Sequence, residues 1–64
     1  MDTETLRRLR REAALSQQEL ADMAGTTQET ISRLERGHHA ARGQTLRRLA
    51  EALGVQPKEL MKGG

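Results

Sequence analysis

Sixty-four residues hold one domain at most, and a chain this short buries only roughly 60% of the surface its unfolded form exposes. Eleven Lys and Arg against nine Asp and Glu leave a formal charge of +2, and Cys, Phe, Tyr and Trp are all absent. The missing aromatics argue against modules that stack single-stranded bases, and the missing cysteines exclude a disulfide scaffold, a zinc finger and a thiol nucleophile.

Strand signals are weak, because the β-branched residues are scattered and no alternating run is long. Helix formers dominate, and punctuation divides the chain into short helices. Thr3 caps a first helix that runs to about Ala13, with Leu6, Leu9 and Ala13 on one face. Ser16 and Glu19 are spaced as a capping box, which predicts a second helix from about Gln17 to Ala24 that buries Leu20, Ala21 and Ala24. Gly25 ends it, since glycine enters the left-handed region without steric penalty. Thr26 and Thr27 compete to cap a third helix, which runs to about Arg36, buries Ile31 and Leu34 and stops at Gly37. After the longest connection, His38 to Gly43, a fourth helix from about Gln44 to Leu53 sets Leu46, Leu49, Ala50 and Leu53 on one face and ends at Gly54. Pro57 opens a short fifth helix carrying Leu60 and Met61. The expected fold is therefore all-α, a compact five-helix domain over residues 1–62, with 63–64 a flexible tail. Met23 reads as a partly exposed helix position, and Met61 as a core or dimer filler.

The longest apolar run is Ala13-Ala14-Leu15, far below a membrane span or the apolar part of a signal peptide. A soluble, cytoplasmic protein with no membrane partner is expected. Charge is uneven along the chain. Between Ser32 and Arg48 stand five arginines and one acid, Glu35, with His38 and His39 in the same stretch. Such a local excess is either a polyanion footprint or a solvated face.

The informative segment is Gln17 to Arg36: a helix, a break at Gly25, then a second helix. Small residues near the crossing (Ala21, Ala24) and a glycine at the turn allow two helices to meet at a sharp angle. That is a helix-turn-helix, whose second helix enters the major groove of duplex DNA. The run LSQQELADMAGTTQETISRLERG, followed by TLRRLAEALGV, resembles the Cro/cI-type (Xre-like) helix-turn-helix family that includes lambdoid phage repressors. The matching features are Ser16-Gln17, Glu19-Leu20-Ala21, Gly25, Ile31-Ser32, Leu34-Glu35 and Gly37, then Leu46, Leu49-Ala50 and Ala52-Leu53-Gly54-Val55.

The resemblance implies a lambda-repressor-like fold and a sequence-specific binder of double-stranded DNA. It further implies a transcriptional regulator, expected to be a repressor, that acts as a homodimer on a palindromic operator. In that family the residue at the Gln17 position holds a phosphate, aided here by the positive end of its helix. Carried over, Thr27, Gln28, Glu29 and Arg33 are the base readers. Gln28 suits adenine N6 and N7; Arg33 suits either guanine O6 and N7 or a phosphate. Glu29 either accepts from cytosine N4 or excludes guanine, exclusion being favoured. Thr30 and Ser32 offer hydroxyl contacts, and Arg36, His38, His39 and Arg42 are expected to grip backbone phosphates. Arg10 and Glu35 match a structural salt bridge joining the first and third helices. The rest of the run Arg7-Arg8-Arg10-Arg11 reads as a solvated face, and Arg47 and Arg48 as mostly the outer side of the fourth helix. Where the family usually carries a proline and an apolar residue, Ala41 and Gly43 stand, so that loop is expected to be looser; where it commonly ends the first helix with glycine or asparagine, Ala14 stands, which implies either strain or a non-helical turn.

Neither a metal nor a cofactor is expected. His38 and His39 are adjacent in a loop with no Cys and no helical partner, which is not a closed ligand set. Ser16 and Ser32 are accounted for by a cap and a helix face, so no enzyme is expected. The alternative to a DNA regulator is a protein-interaction or antitoxin-like module on the same fold. An apolar outer face on the third helix would mark that alternative, and the sequence places polar residues there.

Overall fold

A computed structural model describes residues 3–37 and 42–61. Among the described residues there are five helices and no strand: α1 (Thr3–Glu12), α2 (Gln17–Ala24), α3 (Gln28–Glu35), α4 (Gly43–Leu53) and α5 (Pro57–Met61). No helix is long and apolar enough to cross a membrane. α2 packs on both α3 and α4, while α1 leans on α3 and α5, and α5 closes against α4.

The core is aliphatic throughout. Leu6, Leu20, Ile31, Leu34, Leu49 and Leu60 are fully buried, with Ala21, Ala24 and Ala50 buried among them. Leu9, Leu15, Leu46, Ala52, Leu53 and Val55 pack around this cluster while staying partly exposed. The fourth-helix stripe is thus buried at its centre, Leu49 and Ala50, and only half-buried at Leu46 and Leu53. Met61 is 59% exposed, so it fills no core position; Met23 is exposed as well.

Caps set the helix limits. The Ser16 side chain accepts from the Glu19 backbone N–H at 3.0 Å, and the Glu19 carboxylate accepts from the Ser16 backbone N–H at 2.9 Å. That second bond holds the Glu19 carboxyl below the usual carboxylate range. At the other end of α2, Gly25 sits at φ +69, Thr26 donates to the Ala21 carbonyl at 2.9 Å and Gly25 to that of Asp22. This is the Schellman arrangement. The Arg48 side chain reaches the same turn, its Nη1 lying 3.6 Å from where a Cβ on Gly25 would stand. Between Thr26 and Thr27, it is Thr27 that caps α3, taking the Thr30 N–H. The helix then ends at Glu35, one residue before the expected limit, with Arg36 as its C-cap.

Two expectations about α1 are corrected. Thr3 is the first residue of the helix, not the residue before it. The helix also stops at Glu12, so Ala13 is exposed and adds nothing to the Leu6 face. The reason is Ala14, which adopts φ +58. Leu15 donates back to the Arg10 carbonyl at 3.1 Å and Ala14 to that of Arg11 at 2.9 Å, the same closure that Gly25 makes, here built on a residue with a Cβ. An L-residue in that region carries roughly 1–2 kcal/mol of strain. Ala14→Gly is therefore expected to raise stability by about 1 kcal/mol, seen as a higher urea midpoint with an unchanged slope.

Candidate nucleic-acid interface

α3 has two sides of opposite character. Ile31, Leu34 and Glu35 point inward and are buried. Thr27, Gln28, Glu29 and Arg33 are exposed, and Thr30 and Ser32 sit at intermediate depth between the two sides. The phase follows from the caps: with Thr27 fixed as the N-cap, the apolar positions three residues apart must face α2 and α1.

On the exposed side the side chains are already engaged with one another. The Thr27 and Thr30 hydroxyls lie 2.9 Å apart, so Thr27 serves both the cap and its neighbour. Gln28 donates from Nε2 to Gln17 Oε1 at 2.7 Å, linking the start of α3 to the start of α2. Arg33 and Glu29 form an ion pair, Nη2 to Oε2 3.3 Å, one turn apart. Arg36 and Arg42, at either end of the undescribed segment 38–41, are exposed; His38 and His39 lie outside the described residues.

Behind this face sits a charge held in the protein's interior. The Glu35 side chain is 2% exposed, and both of its oxygens accept hydrogen bonds. Arg10 binds it through Nε to Oε2 at 2.6 Å and Nη2 to Oε1 at 3.1 Å. Gln17 Nε2 donates to Oε1 at 3.1 Å. Burial pushes the Glu35 carboxyl up, but the hydrogen bonds from Arg10 and Gln17 and the charges of Arg10 and Arg7 outweigh it and hold the group below the usual carboxylate range. The bond to Glu35 likewise raises the Arg10 guanidinium. Arg10 also ties the α1–α2 turn, donating from Nη1 to the Leu15 carbonyl at 2.9 Å.

Two features went beyond the sequence reading. Arg7 belongs to no purely solvated face: its Nη2 donates to the Glu35 backbone carbonyl at 3.4 Å, and its Nε lies 3.8 Å from Oε1. The signal available was its position one turn before Arg10 on the helix face that meets α3. The Arg8 guanidinium, by contrast, pairs with Glu12 in solvent at 3.1 Å. Second, Gln17 is half-buried and bridges Glu35 to Gln28, so its amide keeps one N–H for an outside partner.

Among the described residues no group of His, Asp and Glu is placed to hold a metal ion. Residues 6–60 match the helix-turn-helix family. An uncharacterised HTH-type transcriptional regulator of Sinorhizobium fredii, y4dJ, is 46% identical over 54 residues, which cover 84% of this chain and 70% of that protein. The DNA-binding domain of the P22 c2 repressor, solved in solution, superposes with a TM-score of 0.90 at 33% identity, over 95% of this chain and 80% of that one. The P22 c2 repressor in complex with a synthetic operator gives 0.91 at 32% identity, over 97% and 94%. The restriction-modification controller protein C.AhdI of Aeromonas hydrophila gives 0.87 at 34%, over 91% and 88%.

Proposed function

The chain belongs to the helix-turn-helix family, and from that premise we propose that it is a transcriptional regulator, a repressor in the first instance, that binds double-stranded DNA sequence-specifically with α3 in the major groove. One observation supports this above the rest. The exposed side of α3 is polar along its length, in a chain that shares its fold with a repressor solved on operator DNA.

On this reading Thr27, Gln28, Glu29 and Arg33 face base edges, while Gln17, Thr30, Ser32, Arg36 and Arg42, with His38 and His39, meet phosphates. Gln28 arrives at the groove already braced by Gln17, so less rotamer freedom is lost when it pairs with adenine. Gln17 spends its free N–H on the backbone where α2 begins, at the positive end of that helix. Arg10 and Glu35 hold α1 to α3 and touch no DNA. The protein works inside the cell, as a homodimer on a palindromic site. Nothing in this reading calls for catalysis, a cofactor or a metal.

The test is selection from a random duplex pool, followed by titration at two salt concentrations. Arg33→Ala is expected to lower specific affinity by about 1–3 kcal/mol and to relax preference at one base position. Gln17→Ala is expected to weaken binding to all sequences about equally. Retention of no duplex at low ionic strength overturns the reading.

A further inference from the structure

Arg33 and Glu29 are 59% and 67% exposed at the side chain, on the side of α3 opposite Ile31 and Leu34. Glu29 occupies a single nitrogen of the guanidinium, Nη2, at 3.3 Å. A guanidinium has five N–H donors in a planar fork, so a two-donor edge stays open after Glu29 has taken its share. In water such an exposed pair contributes little to stability. Its consequence lies in what it does to an incoming polyanion.

A bare arginine on this face has two competing partners, a phosphate and a base edge, and the phosphate carries a full charge. The Glu29–Arg33 pair has no net charge. Its carboxylate repels a phosphate oxygen approaching the guanidinium, whereas a neutral base edge with two acceptors meets no such penalty. In the major groove guanine is the base that presents two acceptors side by side, O6 and N7.

We propose that Glu29 and Arg33 act as one reading unit for a guanine, with Glu29 the positioning residue that keeps the Arg33 guanidinium on the base edge and off the phosphates. This replaces a free Glu29 that excludes guanine, since its carboxylate is committed to Arg33. The inference rests on the DNA-binding reading above.

The experiment applies duplex selection and salt titration to the full chain, to Glu29→Gln, to Arg33→Met and to the double variant, with helix content checked for each. The wild type is expected to select a guanine at one position, and Arg33→Met to lose that preference. Glu29→Gln is expected to keep binding DNA while its guanine preference falls about tenfold or more. Its log affinity is also expected to fall more steeply with log salt, by about 0.9, as the freed Arg33 takes a phosphate. In the double variant that extra slope disappears.

Glu29→Gln with its guanine preference intact overturns the proposal, as does a lost preference with no change in slope. A wild-type site that Arg33→Met leaves unaltered overturns the proposal alone and leaves DNA binding standing. A wild type that selects no duplex overturns both.

Discussion

Ile31→Asp is expected to abolish folding. Ile31 has no exposed surface and lies in an aliphatic core; among the described residues the one charged group buried with it is Glu35, already paired with the half-buried Arg10. A carboxylate there has neither water nor a donor, and the penalty for an unpaired buried charge runs to several kcal/mol even after relaxation. The loss of the isoleucine side chain adds a further 2–3 kcal/mol or about that. A domain of this length has about 3–10 kcal/mol of stability to lose, so the two terms exceed or exhaust it. Ile31→Val is the control: it keeps the shape and is expected to cost about 1 kcal/mol. Far-UV circular dichroism and amide chemical-shift dispersion check both. A folded Ile31→Asp chain would mean that α3 has turned its other side inward.

Arg10→Met is expected to cost about 3–5 kcal/mol at neutral pH, because it leaves the buried Glu35 carboxylate with Gln17 and the half-exposed Arg7 alone. The pH dependence separates a lost charge partner from lost packing. In the wild type the Glu35 carboxyl lies lower in the folded chain than in the unfolded one. Its contribution is therefore fully present above the unfolded value and is lost as pH falls through the folded one. In Arg10→Met burial is opposed by Gln17 and Arg7 alone, so the folded carboxyl lies higher than in the wild type. The variant therefore loses less stability on acidification than the wild type does. The stability gap between wild type and variant is expected to narrow from pH 7 to about pH 3.5, as measured by urea unfolding. A gap of constant width would assign the loss to the packing of the Arg10 alkyl stem.

The helices could be read from the chain because their limits are written in local chemistry. Ser16 and Glu19, Gly25, Gly54 and Pro57 each act within one turn of their own position, and the structure uses all of them. The inward side of α3 followed from spacing once the cap was placed. What depended on distant parts of the chain was less legible. Arg7 and Arg8 are neighbours of one type, yet one reaches Glu35 across the helix pair and the other stays in solvent with Glu12. The Gln17–Gln28 bond joins residues on two helices whose relative angle no local pattern specifies. Ala14 was legible only as a disjunction, since its sequence neighbours show no glycine and only the path into Ser16 forces it to a positive φ.

The bonds from Gln28 through Gln17 and Glu35 to Arg10 form a strut that runs from the exposed side of α3 to α1, the helix packed against its inner side. Under the proposed reading, the aim of an adenine-seeking amide is then registered against a helix that itself meets no DNA. Warming or mutation that lets α1 slip would blur the spelling of the target before the globule comes apart, so fidelity and melting need not share a temperature.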